Sequence, residues 1–153
     1  MRLSLQVGFM AVAVSVAMLT QGLSQSSSPV ETQGRVFTDA NSIRALSAAE
    51  AAQNYPVKIR GVVMFADEVL FSRFVQDETA GIYFGEMTNL PPFKAGQVIE
   101  IEGVTGAGEY VSVVLPKSVK VVGDGKLPEK APVSLESLVS GQQDSQWVEF
   151  SGL

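Results

Sequence analysis

The sequence has no cysteine and no histidine among its 153 residues. Without cysteine there is no disulfide framework, no thiol nucleophile and no thiolate ligand for a metal. Without histidine, a Ser-His-Asp or Cys-His site cannot be assembled within this chain, nor can a zinc centre of ordinary composition. Positive charge is scarce: 11 Lys and Arg stand against 16 Asp and Glu, a formal net charge of −5. Binding along a phosphate backbone takes Lys and Arg, so this balance disfavours nucleic acid as a partner. Long apolar runs are confined to Val7–Leu19, near the start.

That run follows Arg2 and leads into Gly22-Leu23-Ser24. A basic start, an apolar centre and small residues before a cut describe a secretory signal peptide, with cleavage expected after Ser24. The alternative is an uncleaved anchor, but the run falls short of the ~18 apolar residues a spanning helix takes. No cysteine follows it to carry a lipid. Losing Met1–Ser24 removes Arg2 and no acidic residue, so the mature chain is more acidic still. The expected location is the periplasmic or extracytoplasmic side of the cell envelope. Membrane contact is expected only through the signal segment or a downstream region. Residues 25–37, opening with a Ser- and Gln-rich stretch, read as a disordered spacer.

The informative stretch is Val57–Phe84. Val57, Ile59 and Val63 alternate with Lys58 and Arg60, the period of a half-buried strand. Gly61 interrupts the run and predicts a bulge or barrel corner. Ala66-Asp67-Glu68 is a connection, and Leu70–Gln76 reads as a second strand. Asp77-Glu78-Thr79-Ala80-Gly81 is a tight turn, with Asp77 bonding its own backbone and Gly81 supplying a positive φ. Ile82–Phe84 is a third strand. A Lys94-Ala95-Gly96 turn opens a fourth strand through Val104, and Val111–Val122, broken at Pro116, supplies a fifth.

This order resembles an oligonucleotide/oligosaccharide-binding (OB) fold. It implies an all-β, five-stranded Greek-key barrel whose second and third strands form the usual binding face. The barrel is expected over residues 38–126, with a short helical arm at its start. A first helix begins at Thr38 or Asn41 and runs through Leu46. A second is launched by the capping box of Ser47 and Glu50 and stopped by Asn54 and Tyr55-Pro56. Gly85–Phe93, with two prolines, is expected to be a loop. Gly106–Tyr110 forms a hairpin loop, and Gly123–Lys126 closes the barrel.

Residues 127–146 read as a linker and a short helix capped by Ser134. Val57–Val62 and Val148–Leu153 share a pattern at a constant spacing of 91 residues, each preceded by an aromatic residue and a short helix. Residues 147–153 are therefore read as the start of a second, truncated repeat; the alternative is an extra strand of the first barrel. Ser42–Leu153, carrying Y-P-V-K-I-R-G-V-V, F-V-Q-D-E-T-A-G-I-Y and S-Q-W-V-E-F-S-G, resembles the tandem OB-like domains in the extracytoplasmic part of bacterial sensor histidine kinases and related exported proteins. The resemblance implies a sensory module of a larger membrane-attached signalling protein. The kinase's phospho-accepting histidine and ATP-binding glycine boxes are not in this sequence.

Few residue constellations invite chemistry. Asp67-Glu68 and Asp77-Glu78 are neighbours on turns, whereas acid–base work needs carboxylates held apart across a cleft. Neither pair sits in an EF-hand spacing. Gly103-x-x-Gly106-x-Gly108 lacks the Lys-Ser/Thr ending of a phosphate loop and opens no helix. The chain is therefore expected to be no enzyme and to use no cofactor or metal. Its partner would be an unknown small ligand or a protein. The candidate binding residues are Phe74, Gln76 and Tyr83, on the outer face if Val75, Ile82 and Phe84 point inward. Arg73 joins them if a bulge near Ser72 releases it to the surface, and Tyr110 lies on the neighbouring loop. The alternatives are a nucleic-acid-binding OB barrel and a structural spacer.

Overall fold

The computed structural model describes residues 34–85, 87 and 90–152. The expected signal peptide, most of the expected spacer and Leu153 lie outside the described residues. Five strands form one antiparallel sheet: β1 (Pro56–Asp67), β2 (Ser72–Gln76), β3 (Gly81–Tyr83), β4 (Gln97–Gly106) and β5 (Val113–Asp124). Their order is β3-β2-β1-β4-β5. The sheet curls until its two edges meet at a parallel bridge between Phe84 and Val114, where the Gly85 amide donates to the Val114 carbonyl at 2.8 Å. This is the all-β, OB-fold-like Greek-key barrel that the sequence implies.

The core follows from the alternation. Ile59 and Val63 of β1, Val75 of β2, Ile82 of β3, Ile99 and Ile101 of β4 and Val114 of β5 all point inside. Phe84 and Phe93 close one end edge-to-face at 5.8 Å. Lys58 and Arg60 point outward, facing Glu102 and Glu100 of β4.

Two short helices, α1 (Ala40–Arg44) and α2 (Ala48–Ala51), cover the barrel. The cap of α1 is Asp39, not Thr38 or Asn41, and its carboxylate accepts from the Ser42 amide. The expected capping box is present on α2, where bonds from Ser47 hold the Glu50 carboxyl below the usual range. Buried hydroxyls pin the arm down. Thr105 Oγ1 donates to the Ala51 carbonyl at 2.7 Å and accepts from the Tyr55 amide, while Ser112 Oγ donates to the Leu46 carbonyl.

Several boundaries shift. Phe37, placed by the sequence in the spacer, is core: it is 3% exposed and bridges Val57 in parallel. β2 begins at Ser72 rather than Leu70, because Val69-Leu70-Phe71 forms an exposed loop tip held by Asp67 Oδ1, which accepts from two of its amides. β5 is continuous through Pro116, which a register shift accommodates opposite Gly103.

The β1 bulge lies between Val63 and Phe65, not at Gly61. Gly61 is required for a different reason: a Cβ there would sit 2.6 Å from the Gln76 carbonyl oxygen. Gly81 likewise has no positive φ. Its hydrogen leaves room for a loop from the other end of the chain, since a Cβ would overlap the Ser145 carbonyl.

The C-terminal segment adds β6 (Ala131–Pro132), α3 (Leu135–Val139, capped by Ser134 as expected) and β7 (Val148–Glu149). β6 and β7 pair in parallel in a sheet of their own. Ala131 and Val148 thus take the bridging positions that Phe37 and Val57 take at the start of the barrel.

Candidate recognition face

A row of aromatic rings crosses the outside of the barrel. Phe65 of β1 is in register with Phe74 of β2, and Phe74 with Tyr83 of β3. Their centroids are 6.5 and 5.7 Å apart, and the rings are tilted or edge-on rather than stacked on one another. Phe74 and Tyr83 were legible from alternation along β2 and β3. Phe65 was not: strict alternation from Val57 sends it inward with Val63. The bulge buries Met64 next to Val63 and turns Phe65 out, leaving it about half exposed.

Beside this row lies a cleft of about 510 Å³. Phe74 and Tyr83 form one wall, the β4–β5 loop with Glu109 and Tyr110 another, and Leu115 of β5 part of its lining. Asp144 and Ser145 complete it. Tyr110 is 73% exposed. Tyr83 also fastens the β1–β2 loop, its hydroxyl donating to the Phe71 carbonyl at 3.2 Å. Phe71 has φ of 50°, left-handed for a residue with a bulky side chain.

The Asp144–Ser145 wall is held by contacts distant in sequence. Arg44 Nη1 donates to the carbonyls of Gly81 and Asp144 at 3.1 and 2.7 Å, and its Nη2 to that of Gln142. Burial lowers the Arg44 pKa, and the Asp144 charge opposes the shift. The Gln146 side-chain amide pairs with Gly81, accepting from its amide and donating to its carbonyl. Ser145 is held at φ 61°, and its buried hydroxyl has no partner among the described residues. The only sequence sign of this docking is Gly81, where a side chain would collide.

Two sequence candidates fall away from the cleft. Arg73 is not released to the surface, because the bulge is in β1 and β2 keeps its register around Ser72. Arg73 points inward, 3% exposed, and pairs with Glu68 at 2.7 Å. Its Nε and other terminal nitrogen have no partner among the described residues. It anchors the β1–β2 loop and does not face the outer surface. Gln76 shares the face of Phe74 but lies one rung along, between Val62 and Gly81, outside the cleft. Among the described residues no group of acidic side chains is assembled to hold a metal ion. No helix among them is long and apolar enough to cross a membrane.

No family model matches the chain, and neither does any curated protein. Solved structures are similar to part of it. The hypothetical protein ygiW from E. coli is similar at 17% identity over 58% of this chain and 91% of that one, with a TM-score of 0.45. An OBody, AM1L10, bound to hen egg-white lysozyme is similar at 14% identity over 54% of this chain and 94% of that one, with a TM-score of 0.40. Asparaginyl-tRNA synthetase from Pyrococcus horikoshii, complexed with asparaginyl-adenylate, is similar at 15% identity, over 54% of this chain but only 23% of the synthetase, with a TM-score of 0.41. The barrel is defined by its own strand order and closure.

Proposed function

We propose that this chain is a non-catalytic ligand-binding module that works outside the cytoplasm, in the sensory half of a larger membrane-attached signalling protein. The observation that carries the binding reading is the row Phe65, Phe74 and Tyr83 beside an open cleft. Solvent-facing aromatic rings on a rigid sheet offer stacking surface that folding alone does not call for. Export is supported by the pattern of Met1–Ser24. Membership of a tandem array is supported by the β6–α3–β7 segment, which repeats the way Phe37 and α1 lead into β1. The non-catalytic reading is supported by the lack of histidine and cysteine.

Nucleic acid is the second reading, favoured by the barrel topology and the stacking face. Against it, the cleft lining contains Glu109 and Asp144 but, among the described residues, no Lys or Arg. A structural spacer is the third, and it assigns the rings no role. Replacing Phe74 and Tyr83 with Ala together separates these readings from a spacer. In the full-length parent protein the double variant is expected to stay folded and lose its response to ligand. An unchanged response would favour a spacer.

A further inference from the structure

β3 is an edge strand of the sheet, and its first residue is met from outside by a side chain where another strand would lie. The Gln146 side-chain amide accepts from the Gly81 N–H at 3.2 Å and donates to the Gly81 carbonyl at 2.9 Å, the two-way pairing that a neighbouring strand makes. The Ser145 carbonyl fills the space that a side chain at Gly81 would take. From the end of α1, Arg44 ties the same turn down through the carbonyls of Gln142 and Asp144, and the nitrogen that reaches Asp144 also holds Gly81.

The docking also carries its own opposition. Ser145 adopts φ 61°, a conformation that suits glycine better. Its hydroxyl is buried without a partner among the described residues, as is Oε1 of Gln76, the rung partner of Gly81 on β2. Side-chain bonds hold the turn, while a strained backbone and unpaired buried atoms work against them. A segment in this balance opens before the strands beneath it do. Two parts of the molecule depend on it. Asp144 and Ser145 line the cleft. Directly beyond them, the Trp147 carbonyl accepts from the Ala131 amide and Val148 begins β7. Release of the turn therefore takes one wall from the cleft and one support from β6–α3–β7 together. By reciprocity, whatever holds either part closed holds the other. We propose that residues 141–146 are a latch with two positions, closed on the edge of β3 in this structure and released while the barrel stays folded.

Trp147 is the sole tryptophan of the chain, so its emission reads the latch while far-ultraviolet circular dichroism reads the barrel. In a urea titration of the protein, the Trp147 step is expected at lower urea than the dichroism step. Arg44→Met and Gln146→Ala each remove bonds that hold the turn. Both should move the Trp147 step to lower urea and leave the dichroism step in place. Ser145→Gly relaxes the backbone and removes the unpaired hydroxyl, so it should move the Trp147 step to higher urea. Hydrogen exchange supplies a second reading. The Gly81 amide, bonded to the Gln146 side chain, should exchange about tenfold faster in Arg44→Met and more slowly in Ser145→Gly. Exchange at Val75, in the middle of the sheet, should not change.

One coincident transition in the protein and in all three variants would overturn the latch, because the turn would then unfold only with the barrel. A Gly81 amide that answers the substitutions while Trp147 emission does not would overturn the link to β7. Shifts of the same sign in Arg44→Met and Ser145→Gly would overturn the opposed roles given to these residues. The latch stands or falls apart from ligand binding, which the Phe74 and Tyr83 double variant tests.

Discussion

Arg73 is the residue whose position decides how the β1–β2 loop is held. A guanidinium taken out of water needs its charge met; among the described residues the Glu68 carboxylate meets it, from a side chain still 46% exposed, and the Phe71 ring centre lies 6.0 Å away. The two halves of this pair should therefore respond unequally. Glu68→Ala leaves a buried, unpaired charge and should cost about 1–3 kcal/mol. Arg73→Met removes the charge, fills similar space and lets Glu68 hydrate, so the cost should be below about 1 kcal/mol. Urea unfolding of the two variants checks the order, and equal losses would contradict it. The inward course of Arg73 was readable from its alternation with Phe74. Its ion pair was not, because Glu68 lies in a loop with no period to read. Phe74 and Tyr83 were legible because β2 and β3 keep strict alternation. Phe65 was hidden by one extra residue, Met64, and Ser145 by the distance in sequence between the docked loop and Gly81.

Among the elements, the β2–β3 turn does more than reverse the chain. Asp77 Oδ1 accepts from the Thr79 and Ala80 amides, and Oδ2 reaches the Ala40 amide at 2.7 Å. Thr79 Oγ1 accepts from the Asn41 amide. With Asp39 taking the Ser42 amide, the first turn of α1 is satisfied largely by side chains from another element. A five-residue helix has little stability of its own, so this docking is what holds it. Asp77→Ala should destabilise the domain by about 2–4 kcal/mol, since several amides lose a charged acceptor at once. Amide exchange should quicken first in α1 and the turn. Loss of protection spread evenly over the barrel would count against a local role. The sequence showed the turn and the capping box but not the bond from Asp77 to α1, which spans 37 residues.

At the scale of the molecule, the barrel was legible because its core strands follow one rule, apolar residues inward at every second position, interrupted by the bulge on β1 and by two register shifts between β4 and β5. The candidate site was less so, because the cleft forms where separate elements meet: β2 and β3, the β4–β5 loop and the 144–145 turn. The account rests on that meeting place being where a ligand sits. The most direct test is amide chemical-shift mapping of the isotopically labelled protein titrated in turn with cellohexaose, a twelve-residue oligothymidylate and a lysine-rich peptide. Saturable shifts concentrated at Phe65, Phe74, Tyr83, Tyr110 and Ser145, with the far side of the barrel still, are the predicted result. Shifts centred elsewhere, or none with the barrel intact, would contradict it.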